Sequence, residues 1–503
     1  MNTELISKEE DSNLAINNLK DKREIKEEKS NFTETVKEFI SPDHVSINPY
    51  ELESASADLT SLPSYHYRFK KYYLASHVIR PGDVEELTKL IKISRKLSIP
   101  VTIRSAGTSC FSSSTPAKGG IIIDMRRMNK IHEINHEKLT ARVDSGISWL
   151  NLIEGLSDHG LAPKCYPTSF KTSCVGGFIS TPGKAGIGAP KYGTMKDTVI
   201  SLQLVRPDGS IVEISRDSSE DIEFDDVFGT YGIYGAVTEV ELSLTKLQPS
   251  LEVTGYGFSS YKEAINFYLE IKNDIPNKPF FLSISNRDFE KYSHVDFPKK
   301  QWLVWAVFYD EQEKNTESLS FVKEKAEEKK GAEMDTSYLK EKWRDISDAE
   351  VAIGRSARNL IFQEYWISDK RLDLFIEFYL KEKKNYKFPT AFYLISGHEG
   401  HSRIKVFGLT DISKPREFFT VKAFLHDISV NSFNQGDRLY TIGIVNTFYL
   451  HKFKPGEVGK RRILKNKLDP DDLFNSYRIV NSRMTFRRIF LLFAIAKFLY
   501  KIL

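Results

Sequence analysis

Cysteine is scarce in this chain, which has three among 503 residues, at positions 110, 165 and 174, and no Cys-x-x-Cys pair. Closely spaced thiolates are what hold an iron–sulfur cluster or a structural zinc ion. Their absence argues against either centre within this chain. The low cysteine content is also typical of a reducing compartment.

A large excess of charge of one sign is lacking too, because 72 basic residues are set against 68 acidic ones and the net charge is +4. A dedicated nucleic-acid-binding protein concentrates a larger basic excess, so the composition argues against that class. A hydrophobic fraction of 40% and a charged fraction of 28% are typical of a soluble globular protein. The length predicts two domains, with three as the alternative.

Two common nucleotide-binding motifs are missing. No Gly-x-Gly-x-x-Gly follows the first predicted strand, and no Gly-x-x-x-x-Gly-Lys-Ser/Thr is found, so neither a Rossmann nor a P-loop site is predicted. The N-terminus lacks the features of a signal peptide, and we expect a cytoplasmic protein. Residues 1–35 are rich in Lys, Glu, Asp and Asn, which predicts a disordered segment or a loose helix.

What the chain has instead is a β-α-β pattern from about residue 70. Apolar residues at helical spacing between Val84 and Leu97 predict a helix, and "VTIRS" after it predicts a strand. The stretch "IRSAGTSC", residues 103–110, follows with almost no side-chain bulk. Successive backbone N–H groups in such a loop can hold an anion such as a pyrophosphate; the alternative is an ordinary tight surface loop. Residues 165–180 and 228–244 are also rich in small residues.

Six ordered segments carry a resemblance to a known family. They are "PGDVEELTKLIKISRKLSIPVTIRSAGTS", "GGIIIDMRRMNKIHEI", "VDSGISWLNLIEGLSDHGLAPKCYPTS", "TSCVGGFIS", "PKYGTMKDTVISLQLVRPDG" and "GTYGIYGAVTEVEL". In this order they resemble the FAD-binding domain of the vanillyl-alcohol oxidase/p-cresol methylhydroxylase (PCMH) superfamily. The D-lactate dehydrogenase/glycolate oxidase flavoprotein-subunit branch is the most similar. "GDRLYTIGIVNTFYL" and "ILKNKLDPDDLFN" give a weaker C-terminal match.

The resemblance implies an α+β protein that is an FAD-dependent oxidoreductase. It implies a two-subdomain, PCMH-type FAD-binding domain at 36–245 and an α+β substrate (cap) domain with an antiparallel sheet at 246–460. A segment at 461–485 would return to the FAD-binding domain.

The resemblance also assigns the residues that would line FAD. They are Arg104, Ser105, Ala106, Gly107, Thr108 and Ser109 at the pyrophosphate, with Arg104 either adding charge or bracing the loop, then Pro167, Thr168, Ser173, Cys174, Gly176 and Gly177, and the backbone of Val237. Thr108 stands where relatives with a covalent flavin carry a histidine, so non-covalent FAD is expected. Cys174 and Phe178 depart from the common Thr or Ser and Asn of the family.

The cap domain supplies the candidate catalytic residues. Oxidation of a 2-hydroxy acid by a flavin needs a base for the hydroxyl proton and a cation for the carboxylate. His398, His401 and Tyr440 are the candidate bases, and Arg403 and Arg438 the candidate carboxylate ligands; ordinary surface roles are the alternative for each. No metal is expected, because Thr441-Ile442-Gly443-Ile444 replaces the Glu-His of metal-dependent relatives.

The predicted function is therefore oxidation of a D-lactate-like or glycolate-like acid by hydride transfer to FAD. Electrons would leave to a quinone, to oxygen or to a partner iron–sulfur subunit. Two alternatives are a flavoenzyme of alkylglycerone-phosphate synthase type with a lipid-like substrate, and an electron-transfer subunit without its own substrate. Enzymes of the alkylglycerone-phosphate synthase type carry a histidine-rich stretch near the C-terminal segment. "DRLYTIGIVN" lacks this stretch, which argues against that alternative.

The C-terminal segment 486–503 is apolar with a few cations. Its apolar run is too short to span a bilayer as a helix. Lys497, Lys501 and Arg487 share one helical side, and aromatic residues at 490, 493, 498 and 500 suit a membrane interface. We expect an amphipathic helix on a membrane surface, with packing on the flavin domain or on a second subunit as the alternative.

Overall fold

The computed structural model describes residues 31–61, 73–218, 220–293, 302–357, 361–398, 400–411, 413–482 and 485–502. Residues 1–30 of the segment predicted to be disordered or loosely helical lie outside these ranges. Phe32–Lys37 form a helix in which Phe32 is buried.

The first sheet contains the predicted β-α-β unit. Its elements are α1 (Phe32–Lys37), β1 (Val45–Ser46), α2 (Pro49–Ala55), β2 (His77–Ile79), α3 (Val84–Lys96), β3 (Val101–Arg104) and β4 (Ile121–Asp124). The strand order is β1-β2-β4-β3, with β2, β4 and β3 parallel. Asp83 caps α3 by accepting the Glu86 N–H, and Leu87, Leu90 and Ile91 are buried. The small-residue loop thus leaves the carboxyl end of a parallel strand.

The second sheet is antiparallel and follows directly. Its strands are β5 (Ile131–Asn135), β6 (Thr140–Asp144), β7 (Leu161–Pro163), β8 (Val199–Val205), β9 (Ile211–Ser215) and β10 (Ala236–Lys246). The helices between them are α4 (Trp149–Ser157), α5 (Val175–Ser180), α6 (Ala189–Tyr192), α7 (Met195–Thr198) and α8 (Phe224–Val227). The order is β5-β6-β10-β8-β9, with β7 on β10. The hairpin predicted at Asp208-Gly209 joins β8 to β9.

The third sheet is antiparallel and has eight strands, in the order β14-β11-β13-β12-β16-β17-β15-β18. They are β11 (Ser250–Phe258), β12 (Phe281–Asn286), β13 (Trp302–Asp310), β14 (Ala332–Glu333), β15 (Ile361–Ser368), β16 (Thr390–Ser396), β17 (His401–Gly408) and β18 (Arg438–Leu439). Its helices are α9 (Tyr261–Asn273), α10 (Arg287–Ser293), α11 (Gln312–Glu328), α12 (Thr336–Arg344), α13 (Ala349–Ala357), α14 (Leu372–Lys383) and α15 (Pro415–Asn434). Alternate residues of β17 face opposite sides, so Ile404 and Val406 join the core that contains Phe424 of α15.

Three helices complete the chain: α16 (Thr447–Phe453), α17 (Pro455–Leu468) and α18 (Phe486–Ile502). After α17 the chain runs back to the first sheet. The Val101 N–H donates to the Leu473 carbonyl at 2.8 Å, and the Asn475 N–H donates to the Val101 carbonyl at 2.9 Å. α18 then packs against α15.

Candidate active site

A cavity of about 260 Å³ lies between the first two sheets and the eight-stranded sheet. The loop after β3, the segment 167–181 and the start of β10 form one wall, and side chains of β15 and β17 form the other. All of the residues that the resemblance assigned to FAD line this cavity, namely Arg104, Ser105, Ala106, Gly107, Thr108, Ser109, Pro167, Thr168, Ser173, Cys174, Gly176, Gly177 and Val237. The contact that each makes with FAD stays a prediction.

Arg104 supports the small-residue loop through hydrogen bonds. Its Nη1 donates to the Ala57 carbonyl at 2.7 Å and to Ser114 Oγ at 3.2 Å. Gly107 has a φ of +68°, and a Cβ there would lie 2.1 Å from the Arg104 guanidinium. Only glycine fits this position, and Arg104 takes the bracing role that we weighed against a direct charge contact.

A second support for the loop comes from the far end of the chain. Asn475 accepts the Ile103 N–H through Oδ1 at 2.9 Å. Arg478 is fully buried and donates to the Ser113 carbonyl at 2.7 Å and to the Thr115 carbonyl at 2.9 Å. Burial lowers the pKa of Arg478 to about 10. We did not predict this arginine from the sequence, because nothing in the local pattern links residues 363 or 365 positions apart.

The segment around α5 places two glycines in different roles. A Cβ on Gly176 would lie 2.7 Å from Ser145 Cβ, whereas a Cβ on Gly177 would meet only Ser105 Oγ, at 4.0 Å. Gly176 is therefore required by packing, and Gly177 leaves bare backbone on the cavity wall. Burial raises the pKa of the Cys174 thiol to about 11, so that it stays protonated.

Val237 lies at the start of β10, beside the same wall. Its carbonyl accepts the Ser145 hydroxyl at 2.6 Å, and the next residue, Thr238, accepts the Ser145 N–H at 2.8 Å. Ser145 thus fixes the backbone of β10 where it borders the cavity.

The residues that line these parts of the cavity have the chemistry that FAD binding requires. The loop after β3 offers backbone N–H groups and hydroxyls with little side-chain bulk, which suits a pyrophosphate. Pro167, Phe178 and Val237 add apolar surface further along the cavity, which suits a flavin ring system.

The opposite wall carries a buried cluster of charged side chains. Glu364, Arg403 and Lys405 are all buried, and Glu350 lies at their edge. Lys405 pairs with Glu350 and lies 3.2 Å from Glu364, whereas Arg403 lies 3.6 Å from Glu364 and 3.9 Å from Glu350. Lys405 thus makes the shorter contacts with the two carboxylates, and Arg403 makes longer ion pairs with both of them.

Glu364 is the acidic centre of this cluster. Burial raises the pKa of its carboxyl group, but Lys405 and Arg403 more than offset this, and the pKa lies below its ordinary value. The Thr441 hydroxyl donates to its Oε2. Glu364 is therefore an ionised acceptor on the cavity wall at neutral pH.

Strand register brings these charges together. Glu364 of β15 is paired with Lys405 of β17, and Trp366 is paired with Arg403. We did not predict Glu364 or Lys405 from the sequence. A signal was present, since "RIKVF" alternates two charges with apolar residues of a strand and "FQEYW" places one charge within a largely apolar strand.

Tyr440 lies beside Arg403 on the cavity wall. Its ring centroid is 5.0 Å from the guanidinium carbon, and its phenol oxygen accepts the N–H groups of Lys184 at 3.0 Å and Ala185 at 3.1 Å. Burial raises the pKa of the phenol. Tyr440 is thus neutral and is better suited to donate a hydrogen bond than to act as a base.

The other three candidates do not line the cavity. His398 lies in the turn between β16 and β17. The His401 ring stacks on Trp366, with the ring centroids 5.5 Å apart. Arg438 is exposed and pairs with Glu457 at 3.1 Å. The structure therefore brings Arg403 and Tyr440 together and leaves both histidines and Arg438 outside.

A metal site needs several His, Cys, Asp or Glu side chains close together. Across the ranges that the structure describes, no group of three His, Cys, Asp or Glu side chains is placed to hold a metal ion.

Comparisons with known proteins agree with this site. A family model described as FAD binding domain matches residues 75–215. The glycolate oxidase subunit GlcD of Bacillus subtilis is 24% identical over 420 residues, or 79% of this chain and 87% of that one. A mitochondrial D-lactate dehydrogenase (cytochrome) of Arabidopsis thaliana is 30% identical over 191 residues, which is 37% of this chain and only 33% of that protein.

The fold also matches a solved structure. Crystalline p-cresol methylhydroxylase with bound substrate superposes with a TM-score of 0.74 at 15% identity, covering 90% of this chain and 97% of that chain. At this identity the likeness concerns the fold. The matched FAD-binding domain, the cavity and the oxidoreductase relatives together show an FAD-dependent oxidoreductase that has the fold of p-cresol methylhydroxylase.

Proposed function

We propose that this flavoprotein oxidises a small 2-hydroxy acid, of the D-lactate or glycolate kind, to the 2-oxo acid. The observation that carries the proposal is Arg403, a buried cation on the cavity wall whose Nε has no hydrogen-bond acceptor among the described residues. The names of the glycolate oxidase and D-lactate dehydrogenase relatives support the same substrate class.

Arg403 binds the substrate carboxylate in this proposal. A guanidinium forms charge-assisted, bidentate hydrogen bonds with a carboxylate, and these are strong where water is excluded. Lys405 is already held between Glu350 and Glu364. Arg403 makes only the longer ion pairs of the cluster, and its Nε has no hydrogen-bond acceptor among the described residues, so it can still donate to a substrate carboxylate.

Glu364 accepts the hydroxyl proton as the α-carbon loses its hydride. FAD, when bound, supplies the hydride acceptor. The Tyr440 ring packs against Arg403 and holds it in place, while its hydroxyl donates to the Ala185 carbonyl at 3.4 Å. This assignment replaces His398 and His401 as candidate bases, since neither lines the cavity.

The electron acceptor that we propose is a quinone at a membrane surface, with oxygen and a partner iron–sulfur subunit as alternatives. The three cysteines are single free residues, which supports an acceptor outside this chain. Within the described part of the chain, no helix is both long and apolar enough to cross a membrane. Contact with a bilayer would therefore be peripheral.

The test is anaerobic bleaching of the flavin absorbance by a panel of D- and L-2-hydroxy acids. We expect one enantiomeric series to reduce the flavin, and acids without a 2-hydroxyl group to leave it oxidised. A protein that binds FAD and is bleached by no hydroxy acid would overturn the proposal. It would leave the lipid-like substrate or the electron-transfer subunit as the function.

A further inference from the structure

The C-terminal helix α18 uses only one side to contact the rest of the protein. Ile489 and Phe493 are buried on this side, and the Phe493 ring lies 5.1 Å from the ring of His426 on α15. Lys497 pairs with Asp427 of α15. Lys497 therefore faces the protein, which corrects its predicted place in an outward cationic stripe.

The opposite side of α18 is apolar and uncovered. Leu491, Ile495 and Phe498 follow one another at helical spacing and are 62%, 50% and 64% exposed. Of the fifteen large apolar side chains that are exposed among the described residues, five lie in this single 17-residue helix. Such a concentration marks an interaction surface, whereas scattered exposed apolar residues are ordinary.

The charge around this surface has one sign. Arg487 and Arg488 are exposed at the start of α18, and residues 473–503 contain no acidic residue. A second copy of the chain would present the same patch across a two-fold axis, so basic groups would meet no acidic partner from this segment. An anionic lipid surface supplies the complementary charge.

The length of α18 limits how it meets the bilayer. Seventeen residues span about 26 Å as a helix, which is less than the roughly 30 Å of a hydrocarbon core. The inner side is also fixed to α15. The helix therefore lies in the plane of the interface.

We propose that α18 docks this enzyme on an anionic bilayer, with Leu491, Ile495 and Phe498 inserted among the lipids and Arg487 and Arg488 at the headgroups. The contact is independent of the substrate, so its test does not depend on hydroxy-acid oxidation.

The experiment is co-sedimentation of the full-length, flavin-loaded protein with vesicles. We expect binding to phosphatidylcholine vesicles that contain phosphatidylglycerol, and at least 10-fold weaker binding to phosphatidylcholine alone. Leu491→Ser/Ile495→Ser should lower the affinity for anionic vesicles about 10-fold or more. Arg487→Ser/Arg488→Ser should weaken the same binding and reduce its salt dependence.

A matched control is Leu374→Ser/Ile463→Ser. These side chains also lie on helices and are 61% and 75% exposed, but they are outside α18. We expect this variant to bind vesicles like the wild type. Flavin content and melting temperature should match the wild type in every variant, because exposed side chains are changed.

Three results would overturn the proposal. In the first, the wild type remains in the supernatant with anionic vesicles. In the second, Leu491→Ser/Ile495→Ser binds as well as the wild type. In the third, the wild type is a dimer in solution that this variant converts to a monomer, which would assign the surface to a second copy.

Discussion

At the residue scale, the structure gives different positions to two arginines that the sequence alone could not distinguish. Arg403 and Arg438 both lie in strands of the eight-stranded sheet, and both were candidates for the substrate carboxylate. One is buried on the cavity wall, and the other is exposed and paired with Glu457. Burial and position, rather than residue type, decide which arginine can bind an anion tightly.

We predict that Arg403→Met raises the KM for the 2-hydroxy acid on the order of 10²-fold, because a charge-assisted pair is lost. Arg438→Met is the matched control and should leave the KM unchanged. Steady-state kinetics with the acid identified by flavin bleaching measure both. An unchanged KM in Arg403→Met would remove this residue from the substrate site.

The second prediction concerns Glu364. A proton acceptor must be ionised, and the pKa of this carboxyl is held below its ordinary value despite burial, because Lys405 and Arg403 lie beside it. The rate of flavin reduction should therefore be flat through neutral pH and fall only below about pH 4.3, the ordinary glutamate value. Glu364→Gln should lower kcat roughly 10²-fold and abolish this acid limb. An acid limb that persists in Glu364→Gln would assign the proton to another group.

The third prediction compares two glycines with the same backbone conformation. Gly107 and Gly160 have φ values of +68° and +69°, but a Cβ has no space at Gly107 and meets nothing within 4 Å at Gly160. Gly107→Asp should abolish FAD binding, since its side chain would collide with Arg104 and place a negative charge at the pyrophosphate loop. Gly160→Asp should keep its FAD. Equal flavin content in the two purified variants would contradict this assignment.

At the element scale, the segment after α17 acts as a brace for the loop after β3. Arg478 gives its hydrogen bonds to carbonyls of residues 113, 115 and 476, and Asn475 gives its amide to residues 231 and 232. A short C-terminal stretch thus joins both sides of the cofactor cavity.

The fourth prediction tests this brace. Arg478→Met leaves buried carbonyls without donors and should destabilise the fold by about 2–3 kcal/mol and lower FAD occupancy. Arg462→Met is the control, because Arg462 also donates to a carbonyl, that of Val480, but does not contact the loop. Melting curves and flavin content measure the two effects. Full FAD occupancy in Arg478→Met would show that the loop does not need this support.

How far the sequence predicts each element depends on whether its signal is local. α3 and the β8–β9 hairpin follow from apolar spacing and an Asp-Gly turn, and both are confirmed. Glu364 and Lys405 alternate with apolar residues, but a strand pattern cannot tell which face borders a cavity. Arg478 acts across the whole chain, and His401 shares the alternation of Arg403 and Lys405 but lies at the first position of β17, stacked on Trp366 outside the cavity. Such facts depend on tertiary structure.

At the scale of the whole molecule, the cavity is assembled from segments that lie far apart in the sequence. The loop after β3, the segment around Cys174, the strands β15 and β17, and Asn475 all contribute to its walls. No single stretch of chain could hold the cofactor once these segments separate.

The fifth prediction follows from this assembly. Thr108 lies on the cavity wall and has no imidazole for a covalent bond to the flavin. Acid precipitation of the holoprotein should therefore release all of the FAD into the supernatant. Flavin absorbance that stays with the washed pellet would contradict the non-covalent assignment.

The hydrogen bond from Ile103 to Asn475 joins residues 372 positions apart. At about 5–20 residues per second, a ribosome needs some 20–75 s to make the chain between them. The first sheet can fold during that interval, but its loop has no brace until the last segment has emerged. Cofactor capture in the cell is thus a step that follows synthesis, and the newly made chain passes through an apoprotein stage whose length depends on the supply of FAD.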